Sequence, residues 1–191
     1  MNSYVFEILK KPKKILASYH DYRKKNLEGE MTTLKLPIVS VNPSLSLLYT
    51  SIIEVEAPLE VGKTAYGERR IINISGGVFE GPRLSGKILP GGADWQFIRN
   101  DGATELEAKY TLKTKDGALI YVTNWGLRHG PPETMRRLAA GHDVDPKDYY
   151  FRTNPRFETG SSQYHWLNKL LAIASGERRA FKVIITVYEV K

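Results

Sequence analysis

Between residues 105 and 113 polar and apolar side chains alternate without a break. Glu105, Glu107, Lys109 and Lys113 fall on one face, and Leu106, Ala108, Tyr110 and Leu112 on the other. A period of two marks a half-buried β-strand. Lys115-Asp116-Gly117 follows, and Asp-Gly at a reversal predicts a hairpin into a partner strand over 118–124. β-branched and aromatic runs between Gly, Pro, Asn and Asp clusters predict further strands over 46–57, 69–74, 94–99, 149–152, 164–174 and 181–190. Another is predicted over 78–89, bent at Gly81-Pro82. One helix interrupts the series. Pro131 and Pro132 suit its first turn, Glu133 complements its dipole, Met135, Leu138 and Ala139 form a stripe, and Gly141 stops it.

About nine strands and one short helix, with no alternation of strands and helices, predict an all-β fold. A single antiparallel β-barrel over residues 41–191 is favoured. Tyr supplies 11 of the aromatic residues, against 6 Phe and 3 Trp. A ring that carries a hydroxyl suits a pocket that is apolar but must orient a ligand.

Composition narrows the setting. The chain has 191 residues, 41% of them hydrophobic, and no cysteine. That length fits one domain with an appendage. The missing thiol excludes disulfides, Cys-based zinc sites and a cysteine nucleophile. No apolar run reaches the ~20 residues that span a bilayer. The N-terminal stretch places its charges after a short apolar run, unlike a secretory signal, so a cytoplasmic location is expected.

The net charge is +7. Residues 1–35 hold eight Lys and Arg against four Asp and Glu, over half of that excess. Residues 1–40 therefore read as a basic N-terminal extension, partly helical or disordered. Within it Ile15, Leu16, Tyr19 and Tyr22 share one helical face. No repeat of basic and aromatic residues accompanies them, so no specific nucleic-acid partner is expected.

Familiar motifs fail on their details. Gly81-Pro82-Arg83-Leu84-Ser85-Gly86-Lys87 has the spacing of a phosphate-binding loop, but Ile88 stands where a Ser or Thr should be. His20, His129, His142 and His165 show no metal-binding spacing, so neither a metal nor a cofactor is expected. What remains is a set of polar residues embedded in strands. Glu80, Asp94, Tyr110 and Arg152 are the candidate catalytic groups, with a carboxyl moving a proton while Tyr110 and Arg152 hold an oxyanion. Trp95, Asn124, His129, Tyr150, Glu158 and Trp166 are candidate ligand contacts. Arg128 lies beside His129 in Gly126-Leu127-Arg128-His129-Gly130. Tyr110 shares parity with buried positions and so points inward, and all four candidate catalytic groups are expected in one cavity. Internal pairs that close the barrel ends would use the same residues.

GGVFEGPRLSGKILPGGADW and YYFRTNPRFET, together with ALIYVTNWGLRHGP and YHWLNKLLAIASGERR, resemble family 3237 of the domains of unknown function, also called UPF0311. The resemblance runs from about Leu47 to Val190. It implies a single antiparallel β-barrel, as in other members from bacteria and fungi. The basic extension has no counterpart in the typical member.

The expected function is small-molecule binding. One form is a cofactor-independent lyase, isomerase or cyclase that works on an aromatic or polyketide-like metabolite by acid–base chemistry. The other is a non-catalytic binding or carrier protein. Self-association into a homo-oligomer is compatible with both.

Overall fold

The computed structural model describes residues 42–191, so the helical reading of the basic extension lies outside the described residues. Ten strands form one antiparallel sheet: β1 Leu45–Val55, β2 Leu59–Thr64, β3 Gly67–Glu80, β4 Ser85–Ile88, β5 Gly92–Ile98, β6 Thr104–Thr114, β7 Leu119–His129, β8 Tyr150–Glu158, β9 Leu171–Arg178 and β10 Lys182–Val190. β1 pairs with β10 on one side and with β3 on the other, which closes the sheet on itself. β4 and β5 lie end to end between β3 and β6. β2 likewise follows β1 along β3. The result is a closed eight-stranded antiparallel barrel with two additional strands. Closure leaves no sheet edge open around the barrel wall.

The alternation in β6 is borne out. Leu106, Tyr110 and Leu112 are buried while Glu107 and Lys113 are exposed. The Asp116-Gly117 hairpin joins β6 to β7, with Gly117 N donating to Thr114 O. The helix also forms, as α1 Pro132–Ala139, and buries Leu138.

Three segments differ from the expected strands. Residues 164–174 are not one strand: a 3₁₀ helix covers Ser162–Lys169 before β9 begins. It buries Tyr164 and Leu167, three residues apart, which is the repeat of that helix. Residues 78–89 split, because the chain leaves β3 at Glu80 and re-enters the sheet at Ser85. β2 was not foreseen, since its side chains are nearly all exposed and offer no alternation.

The two barrel ends are unlike. At one end Leu48, Tyr49, Phe79, Leu84, Leu112, Ile120, Phe157, Leu167 and Val187 pack into an apolar core. The Tyr49 ring meets Phe79 and Phe157 edge-on, at 5.5 and 6.1 Å between centroids. The 3₁₀ helix plugs this end: Tyr164 Oη donates to Asp116 in the hairpin, and Asn168 bonds the Thr159 backbone through both its side-chain amide atoms. The other end holds the polar residues. Among the described residues no helix is long and apolar enough to cross a membrane.

Candidate functional site

Three neighbouring strands bring polar side chains inward near the open end. On β5, Asp94 and Gln96 share the inner face. On β6 it is Tyr110, beyond Leu106 and Ala108. On β7 the inward parity of Ile120 and Val122 continues through Asn124 and Gly126 to Arg128. β8 adds Thr153, and β9 ends with Arg178. Apolar residues of β1, β3 and β10, including Ile53, Ile74 and Ile185, complete the wall. The cavity measures about 50 Å³. That is room for a few waters, or for the polar end of a larger ligand.

A relay of hydrogen bonds fixes the carboxyl. Arg70 Nε donates to Gln96 Oε1 at 2.8 Å, and Gln96 Nε2 donates to Asp94 Oδ2 at 2.6 Å. Glu107 N donates to Asp94 Oδ1 at 3.1 Å. Burial raises the Asp94 carboxyl above its ordinary 3.8, against the pull of the Gln96 amide and the Arg128 charge. The group is thereby moved toward the range in which a carboxyl can both give and take a proton.

Arg128 is the least ordinary residue of the site. It is only 4% exposed. Its guanidinium carbon stands 5.6 Å from the centroid of the Phe151 ring, and its Nε has no hydrogen-bond partner. Burial, with Arg70 nearby, brings its pKa down to about 10, although Asp94 pulls the other way. Burial also drives the Tyr110 phenol far above its ordinary value, so it remains a neutral donor. Four buried polar atoms around this cavity make no hydrogen bond of ordinary geometry: Tyr110 Oη, Asn124 Oδ1, Arg128 Nε and Thr153 Oγ1, although the Tyr49 hydroxyl and the Asn124 side chain are neighbours of the Tyr110 hydroxyl.

Of the candidate residues, Asp94, Tyr110 and Asn124 lie in this cavity. The others do not. Glu80 is exposed beside Val78 on the outer wall. Its parity is reversed at Ser75, between Ile74 and Gly76, where the β1–β3 register slips, so that Ile72, Ile74 and Phe79 all face inward. Arg152 is exposed because Phe151, Thr153 and Phe157 occupy the inner face of β8. It bonds the Phe151 carbonyl and lies 5.4 Å from the Tyr150 ring centroid. Tyr150 itself stacks on His129 outside the barrel, 4.8 Å between centroids. Trp95 faces outward between Asp94 and Gln96, in an outer groove with Phe97 and Trp125. Glu158 ends β8 on the outer face. Trp166 sits on the plugging helix, with the Arg83 guanidinium 3.9 Å from its ring centroid. A shared cavity for Glu80, Asp94, Tyr110 and Arg152 therefore does not exist.

Arg70, Gln96, Arg128, Thr153 and Arg178 were not foreseen as site residues. Parity alone would have found Arg128, had the strand over 118–124 been extended by two more pairs. Among the described residues, no cluster of three or more His, Cys, Asp or Glu side chains could hold a metal ion.

Comparison with known proteins agrees with this architecture. Residues 43–190 match the family "Protein of unknown function (DUF3237)". A UPF0311 protein of Rhodopseudomonas palustris is 51% identical over 129 residues, 68% of this chain and 84% of its own. A crystal structure from that organism superposes with a TM-score of 0.75 at 44% identity, covering 80% of this chain and 100% of the other. A beta-barrel like protein of Acinetobacter baumannii gives a TM-score of 0.71 at 43% identity, covering 81% of this chain and all of its own. An enzyme from Penicillium herquei shares the fold at 19% identity, with a TM-score of 0.61 over 82% of this chain and 100% of its own. A family match across nearly all the described residues, joined to the same closed barrel, makes this chain a member of the DUF3237, or UPF0311, family.

Proposed function

We propose that the barrel binds a small molecule at its open end and performs acid–base chemistry on it. The observation that carries this reading is the set of four unpartnered polar atoms, Tyr110 Oη, Asn124 Oδ1, Arg128 Nε and Thr153 Oγ1, converging on one cavity. Leaving a buried donor or acceptor unsatisfied costs about 1–3 kcal/mol each. Four of them around one space are more simply explained as ligand contacts than as tolerated defects.

In this reading the residues take separate roles. Asp94, held by Gln96 and the Glu107 amide, moves the proton. Arg128 and Tyr110 stabilise the negative charge that develops on oxygen when a proton leaves a neighbouring carbon. Asn124 and Thr153 orient the ligand. The apolar wall favours a flat apolar body, such as an aromatic or polyketide-like metabolite, reaching in from the mouth. Proton movement of this kind serves a lyase, an isomerase or a cyclase. A barrel of this fold acts as an enzyme in Penicillium herquei, although that likeness is one of fold.

The test is to incubate the protein with a metabolite extract and follow each component by mass. Wild-type protein is expected to deplete one component and produce another of equal mass, or of the mass left by an elimination. Asp94→Asn is expected to lower that rate at least ~100-fold, the scale of general acid–base catalysis. Glu80→Gln, on the outer wall, is expected to leave it unchanged. Retention of a component without conversion would favour the carrier reading, and equal loss in both variants would remove Asp94 from its role.

A further inference from the structure

Arg128 is a buried cation with no hydrogen-bonded anion. Among the described residues its side chain makes no salt bridge, although seven ion pairs form elsewhere on the molecule. Its surroundings deepen the imbalance. Arg70 reaches in from β3 and Arg178 from β9, and both stand close enough to depress its ionisation. The charged and titratable groups around it are these two guanidiniums, the Asp94 carboxyl, and the Tyr110 and Tyr149 phenols. Three guanidiniums thus meet a single carboxyl, and that carboxyl is itself shifted toward its neutral form. Arg70 and Arg178 have other acceptors: Arg70 bonds Gln96, and Arg178 bonds the carbonyls of Arg179 and Ala180. Arg128 has none, and its Nε is sealed from solvent.

We propose that the ligand enters this cavity with a carboxylate, seated on the guanidinium of Arg128. This rests on the reading of the cavity as a binding site and names the chemical class that fills it. A guanidinium presents parallel N–H donors that match the two oxygens of a carboxylate. No hydrogen bond of the fold holds Nε, so a carboxylate has none to displace there. Tyr110 and Thr153 supply neutral hydroxyl donors to the same space. A cavity of about 50 Å³ suits a head group of this size, with the rest of the ligand toward the mouth. Burying a charge is unfavourable unless it is paired and hydrogen-bonded, and a bound carboxylate supplies both conditions at once.

The experiment is a calorimetric or NMR titration of the full chain with benzoate, benzamide and benzylamine, which share a ring and differ in charge. Benzoate is expected to bind at least ~10-fold more tightly than benzamide, and benzylamine more weakly than both. In Arg128→Gln, which keeps a planar polar group and removes the charge, benzoate and benzamide are expected to bind within ~2-fold of each other. Equal affinity of benzoate and benzamide for the wild-type protein overturns the carboxylate assignment and leaves the binding site standing. Binding of none of the three probes overturns both. The wild-type comparison requires no variant to fold.

Discussion

Replacing Arg128 with methionine is expected to stabilise this protein while removing its ligand. The guanidinium is buried, unpaired and brought down from its ordinary value to about 10. A cation whose folded value is lowered binds fewer protons in the folded state than in the unfolded state across that interval. Stability therefore rises as pH climbs from about 10 toward the ordinary guanidinium value, and at every lower pH the fold carries the full penalty of the buried charge. A displacement of this size corresponds to about 3 kcal/mol. Methionine retains most of the aliphatic stem, fills the space beside Phe151, and carries no charge. A net gain of about 2 kcal/mol is expected, seen as a rise of ~4–8 °C in melting temperature at pH 7. A gain in stability at the expense of binding is the signature of a site residue held in an unfavourable state for function. A fall in melting temperature would mean that Arg128 is a structural residue already satisfied inside the fold.

The opposite outcome is expected from Gly86→Ala. A Cβ built on Gly86 falls 2.1 Å from Lys113 O and 2.8 Å from Thr114 Cα, both backbone atoms of β6. No rotamer relieves a clash with backbone, and Gly86 pairs directly with Thr114 in the β4–β6 ladder. The strand must leave its register, with a loss of more than about 3 kcal/mol, well beyond an ordinary surface change. Gly160→Ala is the control, because a Cβ there meets nothing within 4 Å, and its expected effect is within ~0.5 kcal/mol. Chemical denaturation of the three proteins measures the differences. A loss below about 1 kcal/mol for Gly86→Ala would contradict the close approach of β4 to β6. This also explains the glycine spacing that imitates a phosphate-binding loop. Gly81 and Gly86 are small because two neighbouring strands pass directly over them.

Legibility followed the regularity of the chain. In β6 one face is core and the other solvent, so the period of two was visible and placed Tyr110 inside. Asn124 could be drawn from the same logic on β7. Arg128 lay on that strand too, but its glycine neighbours Gly126 and Gly130 made the segment read as a loop. Glu80 was placed inside because a register slip at Ser75 changes which face a residue takes without changing the pattern of residue types. Arg152, Tyr150 and Glu158 share one face of β8, but a single sequence does not say which face of a mixed strand is inner. The relay from Arg70 through Gln96 to Asp94 joins residues 24 positions apart, and only the β3–β5 pairing brings them together.

The proposed site requires that the four unpartnered atoms of the cavity are ligand contacts. A high-resolution crystal structure of the purified protein tests it most directly. The expected result is non-protein density inside the barrel mouth, within ordinary hydrogen-bond distance of Tyr110 Oη, Asn124 Oδ1, Arg128 Nε and Thr153 Oγ1. Density that fits a carboxylate on Arg128 would support both the site and its assigned ligand class. A mouth in which these four atoms bond only to one another and to Asp94, with the space between them closed, would contradict it.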